Sequence, residues 1–258
     1  MRTRIQMNTV IQADTYDAIW LIEKESVDLV VTDPPYGQIA QDWDTEADWK
    51  ALAVAFDRVL KRTGQIYVFC KLPFAATILQ EFARYFRFRF DYVWAKPLGM
   101  FRNKTSPVPT HEIILCFSRV GVPIGELTFE IDRIMTQGKP YKANAGDRQF
   151  TGIKDVFRKM DHPAKPTDLR YPRSVIFERN MTGLPEERLG HPTQKPESIV
   201  HNLVVSSSNP GDIIFDPFMG SWTTAVVAKR LRRNFLGFER EQHYCDIGRR
   251  RLAKAWLN

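Results

Sequence analysis

Long apolar runs are missing from this chain: none approaches the roughly 18–20 residues that a membrane-spanning helix requires. The first eight residues, M-R-T-R-I-Q-M-N, are basic but lack the apolar centre of a signal peptide. Cysteine is scarce. Cys70, Cys116 and Cys245 stand singly, two of them inside apolar runs, which argues against a disulfide framework and a zinc site. Reduced, buried thiols in a cytoplasmic protein are expected. No internal repeat and no low-complexity tract interrupts the 258 residues, a length that suits one sizeable α/β domain or one domain with a small insertion. Acids are in the minority, 30 against 37 Lys and Arg, so the net charge is +7. That balance favours a polyanionic partner without naming it.

What is present is an alternation. Residues 9–14, 27–33, 65–70, 90–96 and 112–118 read as strands, being apolar and rich in β-branched or aromatic side chains. Residues 15–25, 46–62 and 73–85 have helical length and spacing. Strands separated by helices predict parallel βαβ units, with a sheet covered on both faces. From about 120 to 189 this pattern breaks. The stretch is polar, dotted with proline and glycine, and crowded with Arg133, Lys139, Lys142, Arg148, Lys154, Arg158, Lys159, Lys165, Arg170 and Arg173. It is too long for an ordinary loop, which points to a functional insert. Beyond it, 196–208, 223–233 and 241–257 read as helices, and 212–215 and 235–239 as strands.

Two strand ends carry chemistry. The run V-D-L-V-V-T-D-P-P-Y-G at 27–37 finishes in an acid, two prolines and a phenol. At 212–224, D-I-I-F-D-P-F-M-G-S-W-T-T, a strand ends at Asp216, turns tightly at Gly220 and enters a helix at 221–224. Such a turn lets a nucleotide-type ligand approach the backbone, with the hydroxyls of Ser221, Thr223 and Thr224 near the helix start. Glu239 ends the next strand roughly twenty residues on, where an acid suits ribose hydroxyls. Taken alone, this half also reads as a plain βαβ crossover with a solvated Glu239.

D-P-P-Y at 33–36, H-P-T-Q-K-P at 191–196 and D-P-F-M-G-S-W-T-T at 216–224 together resemble the S-adenosylmethionine-dependent DNA amino-methyltransferases in their permuted, β-class arrangement. There the catalytic motif comes first, a target-recognition insert follows, and the cofactor motif closes the chain. That order matches over nearly the whole length. Smaller pieces agree: Gln12-Ala13-Asp14, Trp43-Asp44, His111-Glu112, and P-R-S-V-I at 172–176. The resemblance implies an α/β, Rossmann-like methyltransferase fold with a mixed, mostly parallel sheet and helices on both faces. It implies a catalytic half at 1–119, a basic recognition insert at 120–189 and a cofactor half at 190–258. It further implies a bacterial or phage-encoded cytoplasmic enzyme of the restriction–modification type, acting on double-stranded DNA, without a metal, and compatible with a homodimer.

The opening motif then has a chemical reading. An exocyclic amine is a poor nucleophile because its lone pair is delocalised into the ring. The Asp33 carboxylate and the Pro34 carbonyl can each accept one amino hydrogen and localise that pair. Pro34 and Pro35 stiffen the backbone that aims the carbonyl. Tyr36 offers a face on which an extruded base can stack, or else belongs to the core. Reaching the amine requires base flipping, and phosphate contacts from the insert, with Arg102, Asn103 and Lys104, would help offset its cost. By resemblance Asp14 and Glu239 lie near the adenosine of S-adenosylmethionine, and Phe218, Gly220, Ser221 and Thr223 near its middle, with Asp216 and Asp33 completing the set. His191, Thr193 and Lys195 hold the methionine end, Lys195 facing its carboxylate; capping of the following helix is the other reading of His191 and Thr193.

One residue departs from the family pattern: Trp222 stands where glycine is usual. If the position needs a positive φ or close ligand approach, an indole there weakens or blocks the site. If the side chain points away, it is tolerated. The expected activity is methyl transfer to an exocyclic amine, with adenine N6 favoured over cytosine N4. The alternatives are a DNA-binding pseudoenzyme or regulatory subunit disabled by Trp222, and a methyltransferase for RNA or a protein amide.

Overall fold

The β-branched and aromatic runs pair into one eight-stranded sheet. The computed structural model describes residues 5–37, 45–97, 104–141, 167–179 and 193–255. In chain order the strands are β1 (Thr9–Gln12), β2 (Val27–Thr32), β3 (Leu60–Cys70), β4 (Phe86–Ala95), β5 (His111–Arg119), β6 (Thr136–Tyr141), β7 (Thr167–Arg170), β8 (Val175–Phe177), β9 (Ile213–Asp216) and β10 (Asn234–Glu239). The main sheet runs β1-β10-β9-β2-β3-β5-β4-β8, and β6 and β7 form a separate antiparallel pair. Only β5 runs against its neighbours, β3 and β4; all other pairings in the main sheet are parallel. Parallel strands need both faces covered. The helices are α1 (Thr15–Ala18), α2 (Trp49–Val59), α3 (Phe74–Phe82), α4 (Glu197–Ser207), α5 (Thr223–Arg230) and α6 (Gln242–Lys254). Phe56, Ile78 and Phe82 of α2 and α3 pack on one face, and Leu203, Val204 and Val227 of α4 and α5 on the other.

Local chemistry explains where the boundaries moved. A helix was expected over 15–25, but α1 ends at Ala18, followed by a 3₁₀ turn at Ile19–Leu21. Ile22 is buried in extended backbone, and the next residues are drawn against the end of α2, where Glu25 and Ser26 N–H groups donate to the Arg58 and Val59 carbonyls. Helix α2 begins where Asp48 accepts from the Ala51 N–H at 2.9 Å. It stops at Val59 because Leu60 already pairs with Val27, so β3 starts five residues earlier than its apolar run indicates.

Parts of the aperiodic stretch are built into the body. Phe129 meets the Phe90 ring at 5.3 Å, and the Glu130 N–H donates to the Ser206 carbonyl. Arg133, expected as part of the basic surface, donates instead to the Val205 and Ser208 carbonyls at the end of α4, satisfying helix-terminal acceptors. Strand β8 extends the main sheet beside β4. Among the described residues, no helix is long and apolar enough to cross a membrane.

Candidate active site

Strands β1, β10, β9, β2 and β3 are mutually parallel, so their carboxyl ends open on the same side of the sheet, where α/β folds bind ligands. Four of those ends carry an acid: Asp14 just after β1, Glu239 on β10, Asp216 on β9 and Asp33 just after β2. All four line one cleft. The structure thus brings the two motifs, 183 residues apart from Asp33 to Asp216, into a single site.

At the catalytic end the Asp33 carboxylate is held on both oxygens. The Tyr36 hydroxyl, whose one proton is shared between the Phe69 carbonyl at 2.5 Å and Oδ1 at 2.9 Å, lies on one side, and the Lys195 ammonium pairs with Oδ2 on the other. Burial pushes the Asp33 carboxyl above the usual range, and Lys195 only partly counters it. Lys195 stays protonated, because Asp33 and Glu112 together outweigh the effect of its own burial. Lys195 was expected at the methionine carboxylate; its ammonium is here committed to Asp33. Tyr36 lines the cleft, but its ring also leans on Phe74, with centroids 5.4 Å apart, and the Lys71 ammonium lies 5.6 Å from the ring centre. The Pro35 carbonyl accepts from the Ala47 N–H, fixing the turn that presents Pro34.

At the cofactor end, acids organise backbone. Glu239 accepts from the Gly220 N–H at 2.7 Å and the Glu241 N–H at 2.8 Å. Asp216 accepts from Phe218 N–H and from Thr224 Oγ1, and burial lifts its pKa to about 7. Asp14 caps α1 through the Tyr16 N–H, and Tyr16 in turn meets Phe218 edge-on at 6.4 Å. Ser221 and Thr223 line the cleft, but their hydroxyls are engaged elsewhere. Arg251 of α6 donates to Thr223 Oγ1 at 2.8 Å, Ser221 O at 3.0 Å and Ser221 Oγ at 3.3 Å, while its other nitrogen pairs with Glu197. Thr193 lines the cleft beside Lys195; His191 lies outside the described residues, as do Trp43, Asp44, Arg102 and Asn103.

Trp222 satisfies both halves of the expectation about it. Its φ of 64° is the left-handed geometry that explains why glycine suits the position. Its indole is 3% exposed and turned away from the cleft onto Gly248 of α6, where an added Cβ would lie 2.1 Å from Trp222 Cγ. Tyr16, Gln194, Lys71 and Arg251 were not singled out from sequence. Arg251 carries no local signal, because it is the last of three consecutive arginines and only the fold shows which one is buried.

The donor set fits a positively charged, unphosphorylated nucleoside. Acids dominate the cleft, and its cations Lys195 and Arg240 already face Asp33 and Glu241. An aromatic pair sits next to Glu239 and Asp14 for a base and its ribose. S-adenosylmethionine, with its sulfonium, meets each of these requirements.

A family model described as a DNA methylase matches residues 27–250. The DNA adenine methyltransferase YhdJ of Escherichia coli K12 is 31% identical over 260 residues, covering 97% of this chain and 84% of that protein. The type II methyltransferase M.HinfI of Haemophilus influenzae is 28% identical over 290 residues, covering 96% and 69%. Among solved structures, an M1.HpyAVI–SAM complex matches with a TM-score of 0.65 at 23% identity, covering 95% of this chain and 99% of that one. The cytosine-N4-specific PvuII DNA methyltransferase matches at 0.67 and 16%, covering 97% and 88%. These two share the fold. With the family model spanning most of its length, this chain belongs to the N6/N4 DNA methylase family.

Proposed function

We propose that this enzyme transfers a methyl group from S-adenosylmethionine to the exocyclic amine of a base flipped out of double-stranded DNA, at N6 of adenine. The observation that carries this reading is the shared cleft: Asp33 and the Gly220 turn open onto one space. The cofactor supplies an electrophilic methyl on a sulfonium sulfur. Asp33 and the Pro34 carbonyl accept the two amino hydrogens, concentrating the lone pair on nitrogen as it attacks. Tyr36 helps hold Asp33 in place through its hydroxyl and lines the space that the base would enter. Glu239 and Asp14 bind the ribose side, and Asp216 keeps the turn in shape. Arg251 fixes Ser221 and Thr223 so that the Gly220 backbone can lie close to the cofactor.

Adenine is supported by the name of the E. coli relative. The pseudoenzyme alternative loses its basis, because the Trp222 indole packs on α6 and does not line the cleft. The test is to incubate duplex DNA with methyl-labelled S-adenosylmethionine, digest it and identify the labelled nucleoside by mass spectrometry. N6-methyladenine is expected; N4-methylcytosine would overturn the choice of base. Asp33→Ala should keep the fold and lose about 2.7–4 kcal/mol of barrier stabilisation or more in single-turnover methylation. Near-normal transfer by that variant would remove Asp33 from its role.

A further inference from the structure

Lys195 reaches two carboxylates. Its ammonium pairs with Asp33 and lies 3.5 Å from Glu112 Oε2, while Lys96 pairs with Glu112 Oε1. The groups come from four separate places: the end of β2, the end of β4, the start of β5 and the turn before α4. They alternate in sign, and each side chain is more than four-fifths buried. Asp33 and Lys195 would form a complete pair by themselves. Burying a second pair costs desolvation that its mutual attraction does not reliably repay, so Glu112 and Lys96 call for a reason. Glu112 Oε2 is moreover buried without a hydrogen bond, with Lys195 beside it.

We propose that Glu112 is a positioning residue for the transfer: it draws on the Lys195 ammonium, loosening the hold of Lys195 on Asp33 and leaving Asp33 a stronger acceptor for the target amine. Lys96 offsets the charge that Glu112 brings into the interior. The inference rests on the reading of Asp33 as that acceptor. A carboxylate saturated by a lysine is ionised but a poor acceptor; a second carboxylate competing for the same lysine restores its basicity. The directions agree. Burial raises Asp33, Lys195 pulls it down and Glu112 pushes it back up. Burial would also raise Glu112, but Lys195 and Lys96 outweigh it and keep Glu112 ionised. The other groups facing Asp33 are Tyr36 on its own loop, Cys70 and Lys71 at the end of β3, and Asp216 at the end of β9. Burial holds Tyr36 and Cys70 neutral, so these two do not compete for charge.

The test reads Asp33 directly, by carbon NMR of labelled aspartate carboxyls in the cofactor-free protein, with Asp33→Asn used to assign the signal. In Glu112→Gln the Asp33 midpoint should fall by about one pH unit, and in Lys96→Gln it should rise. Opposite shifts are not what a merely structural defect produces. Single-turnover methylation by Glu112→Gln should slow roughly three- to tenfold as the acceptor weakens, with S-adenosylmethionine affinity within about twofold of wild type. Midpoints that stay put or move together, or an unchanged rate in Glu112→Gln, would overturn the proposal. Should Glu112→Gln not fold, Lys96→Gln decides alone: an upward shift supports the proposal and any other result overturns it. A fully active Asp33→Asn would remove the reading of Asp33 and this inference with it. Absent shifts beside an inactive Asp33→Asn would remove the inference only.

Discussion

An indole at Trp222 occupies backbone geometry that favours glycine, and it holds that place by filling the space over Gly248. Trp222→Gly relieves about 1–2 kcal/mol of left-handed strain but opens a cavity worth about 3–5 kcal/mol, so a net loss of about 1–4 kcal/mol is expected in denaturant unfolding. Cofactor affinity by calorimetry should hardly change, because the indole does not line the cleft. Gly248→Ala should destabilise the wild type through its collision with the indole and be harmless in Trp222→Gly; additive losses would refute this packing. Asp216 gives a prediction in pH. With its pKa raised from 3.8 to about 7, the folded chain keeps a proton that the unfolded chain has released across that interval. The stability contributed by this group is therefore present at the acid end and lost as pH climbs through 7, by about 4 kcal/mol at most. Asp216→Asn, which cannot ionise, should gain in melting temperature relative to wild type between pH 5 and 8 without cofactor. Asp14, Asp33, Asp216 and Glu239 were legible in the sequence because each closes an apolar run. Glu112 was noticed only as a strand opener, and its link to Lys195 spans 83 residues that no local pattern connects.

Helix α6 lends Tyr244 to the cleft wall and also braces the cleft from behind. Through Arg251 it grips the turn between β9 and α5, and through Glu197 it ties that turn to α4. Arg251→Met should cost about 1.5–3 kcal/mol in unfolding, because the turn loses its charged donor to Ser221 and Thr223, while Arg230 still pairs with Glu197. It should also weaken S-adenosylmethionine binding at least tenfold by freeing the turn, as calorimetry would show. Arg251→Lys should not rescue either property, since a single ammonium cannot span the same acceptors. The cores of the elements were readable while their ends were not. Apolar periodicity located α2, but its last turn was decided by Leu60 pairing with Val27, a contact between distant residues. Strand β8 was hidden for the same reason: three residues carry too short a pattern, and β4 supplies the partner that makes them a strand.

Tyr141 of β6 and Thr167 of β7 are register partners, so the chain leaves and re-enters the described structure at one place. The intervening residues 142–166 carry six lysines or arginines against three aspartates. Replacing them with a short glycine-rich turn should spare folding and cofactor binding. It should weaken duplex binding and flatten the slope of log affinity against log salt by up to roughly 5, at about 0.9 for each DNA phosphate no longer neutralised. An unchanged slope in a titration across salt concentrations would place the phosphate-binding cations elsewhere. The order of the motifs has a consequence in time as well as in space. Strand β2, which carries Asp33 at its tip, gains β3 as a neighbour soon after it is made, but Leu29 pairs with Ile214, 185 residues later. At roughly 5–20 residues per second, one edge of this apolar strand stands bare for about 10–40 seconds on the ribosome. An unpaired edge of that kind is a template for another chain. The arrangement that puts the catalytic motif first also leaves one edge of its strand waiting for cover, so the growing polypeptide needs shielding at V-D-L-V-V-T until its last fifth has emerged.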